Sequence, residues 1–310
     1  MSYIEAFGAY LPSRIVSNEE LAARLGCEAS WIVQVSGIVE RRYAADSESV
    51  LDMAAQAAGD CLSRAGRSRS DVRLLIVSSG SAPLRIPGPA VELAHRLGFD
   101  QTPALDVPVA SAGSLIGMAL GDALAPAYGS VLIVAAEKMS SIVLRDPPDR
   151  NTAILFGDGA GACLLSKDRG LARIADHVLH SDGAFASALS VATDGRFSMD
   201  GRAVILQASR KLPRVITEVL ERNQLTADAV SSYLMHQANQ NLIDGVARAL
   251  RVPPDRFFSN IRRYGNTSSA SLLIAAAEWQ AAAGFRPGER VVFAAFGAGL
   301  QWGSLLAIGA

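Results

Sequence analysis

Apolar positions in the first half of the chain are spaced in a way that predicts alternating strands and helices. Residues 72–78 and 131–136 are short apolar runs of the strand type. Between them, residues 112–124 form a small, apolar stretch whose length is typical of a helix. The predicted order is therefore strand, long excursion, helix and buried strand.

The second half repeats this order at a similar spacing. A strand-like piece ends at His236, and an alanine-rich helix is predicted over residues 269–283. Residues 291–296 then form an apolar strand that enters a glycine turn. The similarity of the two runs indicates a duplicated α/β unit.

The repeated pattern predicts an α/β protein made of two duplicated halves. Continuous Val, Ile, Leu and Ala strands, flanked by helices rich in Ala and Gly, are typical of sheets that are covered on both faces. We therefore expect a five-layered α-β-α-β-α arrangement. Charge and glycine interrupt the apolar pattern near residues 167–170, which divides the chain into residues 1–168 and 169–310. Because no Pro/Ser-rich linker separates the halves, we expect them to pack closely together.

Composition and charge exclude several classes of function. The chain has 310 residues, 50% of them hydrophobic, and its 29 Lys and Arg residues against 30 Asp and Glu residues give a net charge of -1. Without a basic excess, nucleic acid is not expected as a partner. The longest apolar stretches fall well short of the roughly 20 residues that a membrane span needs, and the N-terminus lacks the pattern of a signal peptide. We therefore expect a cytoplasmic protein with no membrane partner.

Cysteine and histidine spacing gives no indication of a disulfide framework or a metal site. The three cysteines, Cys27, Cys61 and Cys163, show no CxxC pattern, and we interpret them as small apolar core residues. His177 and His180 could share one face of a helix, but no carboxylate or cysteine partner is evident in the sequence. No metal ion is expected.

A candidate nucleophile lies in the segment 107–113 (VPVASAG), between a predicted strand and the first alanine-rich helix. Ser111 would lie at the positive end of the helix dipole, next to free backbone N–H groups, where a nucleophile can be activated. Serine is also a favoured N-cap, so a purely structural role stays open. The sharp elbow of a serine hydrolase requires G-x-S-x-G, and Val109 replaces its first glycine, which disfavours that interpretation.

Two further segments place polar residues at the same kind of junction. His236 ends an apolar strand in the segment 235–239 (MHQAN), and Asn266 precedes the second alanine-rich helix in the segment 263–268 (RYGNTS). Taken singly, each has a structural explanation, as a satisfied core histidine or a helix cap. If the halves are related by duplication, however, both side chains point into one crevice.

Three motifs and four shorter segments follow one another along nearly the whole chain. The motifs are HQAN at 236–239, GNTS at 265–268 and FGAGLQWG at 296–303. The shorter segments are Gly37-Ile38, Arg41-Arg42, DPPDR at 146–150 and FGDGAGA at 156–162. Together they resemble the β-ketoacyl-acyl-carrier-protein synthase III family of the thiolase superfamily.

This resemblance implies a thiolase-like fold, a homodimer and an acyltransferase of fatty acid or polyketide biosynthesis. In the family, an acyl group moves from coenzyme A to an active-site cysteine, and a malonyl thioester is then decarboxylated and condensed with it. His236 and Asn266 align with the residues that stabilise the enolate. The backbone N–H groups of Ser111 and Ala298 align with the oxyanion hole. Coenzyme A thioesters are substrates here, so no separate cofactor is expected.

The nucleophilic cysteine of the family falls on Ser111, and no cysteine lies nearby in the sequence. A helix dipole can help to ionise a thiol, whereas a hydroxyl needs a base, for which His236 is the candidate. An acyl-Ser111 would be an oxygen ester, which is a poorer acyl donor to a carbanion than a thioester. The alternatives are a slowed condensing enzyme, an O- or N-acyltransferase of secondary metabolism, a non-condensing partner subunit, or a cysteine-to-serine trapping variant.

The resemblance also assigns residues to substrate binding. Trp31 and Arg150 align with the pair that holds the adenine of coenzyme A between an aromatic face and a guanidinium. Asn239, the last residue of the HQAN motif, is assigned to the same substrate. Ile86 aligns with an aromatic residue that closes the acyl pocket of the partner subunit.

Two basic positions of the family are missing from this chain. Val35 stands where the family has a basic residue for coenzyme A, and Asn241 stands where it has an arginine for the acyl carrier protein. Both routes of delivery are therefore weakened. Arg248 and Arg251 could replace part of the lost docking charge.

Overall fold

The first half of the chain contains seven strands and seven α-helices among its described residues. The structure is a computed structural model, and it describes residues 1–84, 86–145, 147–192 and 195–310. Asp146 of the DPPDR segment lies outside the described residues. The strands are β1 (Tyr3–Tyr10), β2 (Arg14–Ser17), β3 (Glu40–Tyr43), β4 (Leu74–Ser78), β5 (Ala104–Asp106), β6 (Ser130–Lys138) and β7 (Asp158–Ser166). The helices are α1 (Asn18–Leu25), α2 (Ala29–Ser36), α3 (Val50–Ala65), α4 (Pro89–Arg96), α5 (Gly113–Tyr128), α6 (Ser140–Val143) and α7 (Arg150–Ala153).

The second half has fewer helices but the same kinds of element. Its strands are β8 (Ala172–Ser181), β9 (Leu189–Val191), β10 (Phe197–Met199), β11 (Ser232–Met235), β12 (Phe257–Phe258), β13 (Arg290–Gly297) and β14 (Gln301–Gly309). Its helices are α8 (Gly201–Arg222), α9 (Gln240–Leu250), α10 (Ile261–Tyr264) and α11 (Ser271–Ala282). A short 3₁₀ turn, Ser268–Ala270, leads directly into α11.

The two halves form sheets with the same strand order. The first runs β1-β7-β6-β4-β5 and the second runs β8-β14-β13-β11-β12. In each sheet the first two pairings are antiparallel and the last two are parallel. This agreement is what a duplicated α/β unit predicts. The sheets join edge to edge, because Tyr3 and Ile4 of β1 pair with Arg173 and Ala172 of β8.

Helices and sheets alternate to give five layers. Helix α3 packs on the outer face of the first sheet, and α8 packs on the outer face of the second. Helices α5 and α11 lie between the sheets, where Leu115, Leu273 and Phe293 belong to one buried cluster. This is the α-β-α-β-α arrangement predicted from the sequence. The division at residues 168 and 169 falls between β7 and β8, and it stays a prediction.

Local sequence explains where the main elements begin and end. Helix α3 starts with a capping box, because the Ser49 hydroxyl accepts the Asp52 N–H while the Asp52 carboxylate accepts the Ser49 N–H. It ends at Gly66, which takes the left-handed conformation that glycine adopts without strain. Strand β4 is buried at every position, as its continuous apolar sequence predicts.

One local prediction from the sequence is wrong. His177 and His180 lie on strand β8 and not on a helix, so their odd separation places them on opposite faces of the sheet. Each faces a carboxylate that is distant in sequence: His177 Nε2 lies 3.7 Å from Asp122, and His180 Nε2 lies 2.7 Å from Glu218. Within the described part of the chain, no helix is both long and apolar enough to span a membrane.

Candidate active site

A cavity of about 410 Å³ lies where the parallel strands end. It brings together five residues that the sequence predicts for the site, namely Ser111, His236, Asn266, Trp31 and Asn239. Much of the wall is apolar and comes from both halves, including Leu155, Phe156, Leu189, Val204, Leu212 and Phe296. An apolar cavity with a few convergent polar groups is the usual form of a small-molecule site.

Ser111 lies in a strained turn immediately before helix α5. Its φ is 67°, in the left-handed region that costs a non-glycine residue about 1–3 kcal/mol. The N-cap of α5 is Ala112, so the interpretation of Ser111 as a helix cap is wrong. Ser111 adopts this left-handed conformation although Val109 stands where G-x-S-x-G has its first glycine. Such strain is found mainly at functional sites.

Gly297 allows strand β13 to pack directly against this turn. A Cβ at Gly297 would lie 2.1 Å from the carbonyl oxygen of Ala110 and 2.6 Å from the nitrogen of Ala112. No other residue fits such a contact without moving the backbone. The first glycine of the FGAGLQWG motif therefore allows the end of β13 to pack against the turn that contains Ser111.

The Ser111 hydroxyl has no hydrogen-bond partner among the described residues, although the residue is only 7% exposed. No base is therefore bonded to it in this structure. The role of His236 as the base for Ser111, expected from the sequence, has no support in these contacts.

His236 is a buried, neutral imidazole. It follows strand β11, and its Nδ1 lies 2.5 Å from the hydroxyl oxygen of Ser271. Burial lowers the pKa of His236 to about 3. This is well below the ordinary histidine pKa of about 6.5, and the sequence alone does not show the burial that causes the shift.

The side-chain nitrogen of Asn266, Nδ2, has no hydrogen-bond partner among the described residues and is therefore available to a ligand. Its Oδ1 accepts the backbone N–H of Ser268 at 2.8 Å. Its own backbone is fixed to the first half, since its N–H donates to the Leu155 carbonyl at 2.8 Å and its carbonyl accepts the Gly157 N–H at 3.0 Å. Because Oδ1 is already engaged, Nδ2 is the group that Asn266 can offer to a substrate oxygen.

Both amides predicted for the oxyanion hole already have partners inside the protein. The Ser111 N–H donates to the Ser268 hydroxyl at 3.2 Å, and the Ala298 N–H donates to the Ala110 carbonyl at 3.2 Å. A substrate oxygen would have to share or replace these two long bonds. Ala298 keeps a φ outside the left-handed region, as its Cβ requires. The oxyanion hole stays a prediction.

A buried carboxylate fixes the Asn266 segment, and sequence reasoning missed it. Glu137, at the end of β6, is fully buried and accepts the hydroxyls of Ser269 and Ser81, each at 2.6 Å. These bonds tie the start of α11 to the first half of the chain. A single acidic residue directly after the apolar run 131–136 was the available signal.

The predicted adenine pair is closed in this structure. The guanidinium carbon of Arg150 lies 5.4 Å from the centroid of the Trp31 ring. A base held between them needs about 7 Å, which is two stacking contacts of about 3.5 Å each. Arg150 must therefore move before Trp31 and Arg150 could hold a base between them.

Asn239 uses both ends of its amide within the protein. Its Oδ1 caps helix α9 by accepting the Asn241 N–H at 2.8 Å, and its Nδ2 donates to the Val35 carbonyl at 2.8 Å. Val35 itself lines the cavity, so this wall is apolar. The assignment of Asn239 to substrate binding stays a prediction, and these contacts give its amide a structural role.

Ile86 and Arg202 differ in their relation to the cavity. Ile86 is 93% exposed and does not line the cavity of its own chain. Arg202, in the first turn of α8, does line the cavity and was missed from the sequence.

Among the described residues, no group of three His, Cys, Asp or Glu side chains is arranged to hold a metal ion.

Comparison with known proteins gives one consistent result. The model for 3-oxoacyl-[acyl-carrier-protein] synthase III matches residues 105–183, and the model for the C-terminal part of that enzyme matches residues 220–307. A β-ketoacyl-[acyl-carrier-protein] synthase III of Gloeobacter violaceus is 38% identical over 319 residues, covering 97% of this chain and 96% of the relative.

Solved structures agree. The crystal structure of 3-oxoacyl-[acyl-carrier-protein] synthase III from Aquifex aeolicus is 32% identical, with a TM-score of 0.95, and covers 99% of this chain and 100% of that one. The priming β-ketosynthase of the R1128 polyketide pathway is 28% identical, with a TM-score of 0.92, covering 100% of this chain and 96% of that one.

The fold and the known relatives define a condensing acyltransferase with a thiolase-like fold. The chain belongs to the 3-oxoacyl-[acyl-carrier-protein] synthase III family. The family and fold predicted from the motifs are confirmed. The correspondence between Ser111 and the nucleophilic cysteine of the family stays a prediction.

Proposed function

We propose that this chain decarboxylates a malonyl-type thioester at His236 and Asn266 and condenses the product with an acyl group carried by Ser111. The observation that carries the proposal is that two buried side chains with N–H groups, His236 and Asn266, line the same cavity. His236 is neutral and Asn266 presents its Nδ2, so both can donate to one thioester oxygen. Donors of this kind stabilise the negative charge that develops as carbon dioxide leaves.

The acyl half of the reaction depends on Ser111. Its hydroxyl would attack the carbonyl carbon of an acyl thioester, the C–S bond would break, and the hydroxyl proton would leave with the thiol. The enolate carbon of the decarboxylated thioester would then attack acyl-Ser111, the bond from the acyl carbon to the Ser111 oxygen would break, and that oxygen would take up one proton from solvent. Because Ser111 has no bonded base among the described residues, we propose that acylation is the slow half of the cycle.

The strained turn at Ser111 favours one second candidate. Ser111 lines the cavity with a left-handed φ of 67°, and its hydroxyl has no hydrogen-bond partner among the described residues, so it is available to attack a carbonyl carbon. In O- or N-acyl transfer, a hydroxyl or amine would attack acyl-Ser111 in place of the enolate. Because the acceptor is then a hydroxyl or an amine and not an enolate, this activity needs no decarboxylation.

Products distinguish the two functions. The wild-type protein would be incubated with an acyl-CoA panel and a malonyl thioester, and the products would be identified by mass spectrometry. We expect a β-ketoacyl thioester whose formation stops in His236→Ala. Acyl esters or amides that form without malonyl thioester would favour the second candidate, and neither product with any donor would overturn both.

We also propose a homodimer, supported by an unpaired sheet edge and an apolar surface beside it. Strand β5 is the last strand of its sheet and leaves Leu105 47% exposed. Nearby in sequence, Leu84 is 58%, Ile86 is 93% and Val91 is 59% exposed. An open edge and an exposed apolar patch are typical of an interface. A second copy would extend the sheet and let Ile86 enter the cavity of its partner.

For delivery of the substrates, we propose acyl-CoA and an acyl carrier protein. Helix α8 lines the cavity with Val204, Ala208 and Leu212. Its exposed side carries a stripe at four-residue spacing, made of Arg202, Leu206, Arg210 and Arg214. Among the described residues, none of these arginines forms an ion pair. A basic stripe with an apolar residue is complementary to an acidic carrier protein.

This stripe offers positive charge in addition to Arg248 and Arg251, which the sequence suggested for docking. It lies on the helix that borders the cavity, and its arginines are spaced by about 6 Å per four residues. The docking role of both sets and the cytoplasmic location stay predictions.

A further inference from the structure

Ser271, the first residue of helix α11, contacts Nδ1 of His236 and does not line the cavity that His236 lines. Its hydroxyl oxygen lies 2.5 Å from His236 Nδ1 and accepts the backbone N–H of Gln237 at 3.0 Å. Ser271 is 2% exposed. Its hydrogen bonds therefore have to be satisfied within the protein.

Counting protons gives the direction of the bond between Ser271 and His236. The Gln237 N–H can only donate, so the Ser271 oxygen is an acceptor there. Among the described residues, His236 Nδ1 is the one remaining acceptor for the Ser271 hydroxyl proton. If Nδ1 carried a proton and donated it, the hydroxyl proton would be buried without a partner, which is unfavourable. The hydroxyl therefore donates to Nδ1.

We propose that Ser271 is a positioning residue that fixes His236 as the tautomer with its proton on Nε2, facing the cavity. With its lone pair at Nδ1 engaged, the imidazole offers an N–H donor to the substrate and no free lone pair. The same geometry excludes His236 as a proton acceptor from Ser111 through Nε2. The arrangement thus assigns His236 to the malonyl-type thioester and separates it from the acylation of Ser111.

The position of Ser271 is itself fixed. The residue follows the turn Ser268–Ala270, and Ser269 in that turn donates to the buried carboxylate of Glu137 at 2.6 Å. Ser268 in the same turn donates its N–H to Asn266 Oδ1. One short segment therefore orients the donor of Asn266 and the donor of His236 together. Consistent with this, burial keeps His236 neutral.

Nitrogen-15 NMR of the imidazoles tests the proposal without any activity. The chain has 4 histidines, and a His236→Gln variant assigns the His236 signals by their loss. We expect wild-type His236 to show a protonated Nε2 and an unprotonated, hydrogen-bonded Nδ1. Ser271→Ala should give a mixture of tautomers, and Ser271→Thr, which keeps the hydroxyl, should restore the Nε2-protonated form.

Ser304→Ala is the matched control, because Ser304 is a fully buried serine whose hydroxyl donates to the Val215 carbonyl at 2.7 Å, away from the cavity. It should leave the tautomer of His236 unchanged. A wild-type protein with its proton on Nδ1, or a folded Ser271→Ala protein with an unchanged tautomer, would overturn the proposal.

A second experiment measures activity. It rests on the proposed function, whereas the NMR experiment does not. Release of carbon dioxide from malonyl-CoA should fall on the order of 10-fold in Ser271→Ala and recover in Ser271→Thr. Equal rates in wild type and Ser271→Ala would contradict the positioning role. If wild type releases no carbon dioxide, the proposed function fails, while the NMR result still decides the tautomer.

Discussion

The backbone N–H of Ser111 donates to the hydroxyl of Ser268 at 3.2 Å, and this bond joins residues that are 157 positions apart. Both residues have a positive φ, 67° for Ser111 and 48° for Ser268. The turn that contains Ser111 in the first half is therefore bonded to the segment that contacts Asn266 and His236 in the second half. The two left-handed turns are thus hydrogen-bonded to each other, and this bond joins the two halves of the chain at the site.

Restoring a thiol at the nucleophile position should accelerate acylation. In Ser111→Cys, the thiolate would be stabilised at the N-terminal end of α5 and would need no base. We expect acyl-enzyme formation from acyl-CoA to rise by orders of magnitude over wild type, measured by rapid-quench intact-mass spectrometry. Equal acylation of the two proteins would show that serine is already an activated nucleophile, as in the O- or N-acyltransferase alternative.

His236 should make stability depend on pH in a defined direction. Its pKa is about 3 in the folded chain and about 6.5 when unfolded, so below pH 6.5 the unfolded chain binds a proton that the folded chain does not. The free energy of unfolding should therefore decrease as pH falls from about 6.5 towards 3, by up to about 1.4 kcal/mol per pH unit.

Urea unfolding between pH 6.5 and 5 measures this effect, because most carboxylates stay ionised there. The free energy of unfolding should decrease less in His236→Gln than in wild type, because the variant lacks the one proton that the unfolded wild-type chain binds at His236. Parallel curves for the two proteins would contradict the burial of a neutral His236.

The dimer should depend on the exposed edge formed by β5. Leu105→Lys and Ile86→Asp place charge on the apolar surface proposed as the interface, and both should favour monomers in light scattering at micromolar concentration. Leu171→Lys is the control, since Leu171 is 39% exposed on the connection between β7 and β8. A wild-type monomer would contradict the proposal outright.

Charge reversal on α8 should affect carrier-bound and free substrates differently. In Arg210→Glu/Arg214→Glu, turnover with malonyl carrier protein should fall at least 10-fold at low salt, while turnover with malonyl-CoA stays unchanged. Arg69→Glu reverses an exposed arginine next to the start of β4, at the opposite end of the parallel strands. An equal effect of this control, or equal loss with both substrates, would contradict docking on α8.

The fold could be predicted because apolar spacing encodes it directly. The run 131–136 is the buried centre of β6, and the predicted helix 269–283 is α11 with its preceding turn. The prediction of a helix for His177 and His180 was wrong. Their segment is strand β8 because it pairs with β1 and β14, which are distant in the sequence.

The site could be predicted only in part. Ser111, His236 and Asn266 stand in motifs, and the structure places all three on one cavity. The hydrogen bond from Ser269 to Glu137 joins residues that are 132 positions apart, so no local sequence pattern could predict it. His236 is neutral because it is buried in the folded chain, and a sequence does not show burial. Likewise, a sequence cannot show that the Arg150 guanidinium lies too close to the Trp31 ring to admit a base between them.

Carbon dioxide release from a malonyl thioester by Ser111→Ala, beside His236→Ala and Asn266→Ala, tests the division of the site most directly. The account predicts a rate close to wild type for Ser111→Ala. It predicts losses of about 10²–10³-fold for the other two variants, because each removes one donor to the developing enolate. A folded Ser111→Ala protein that loses decarboxylation as severely as His236→Ala would contradict the account.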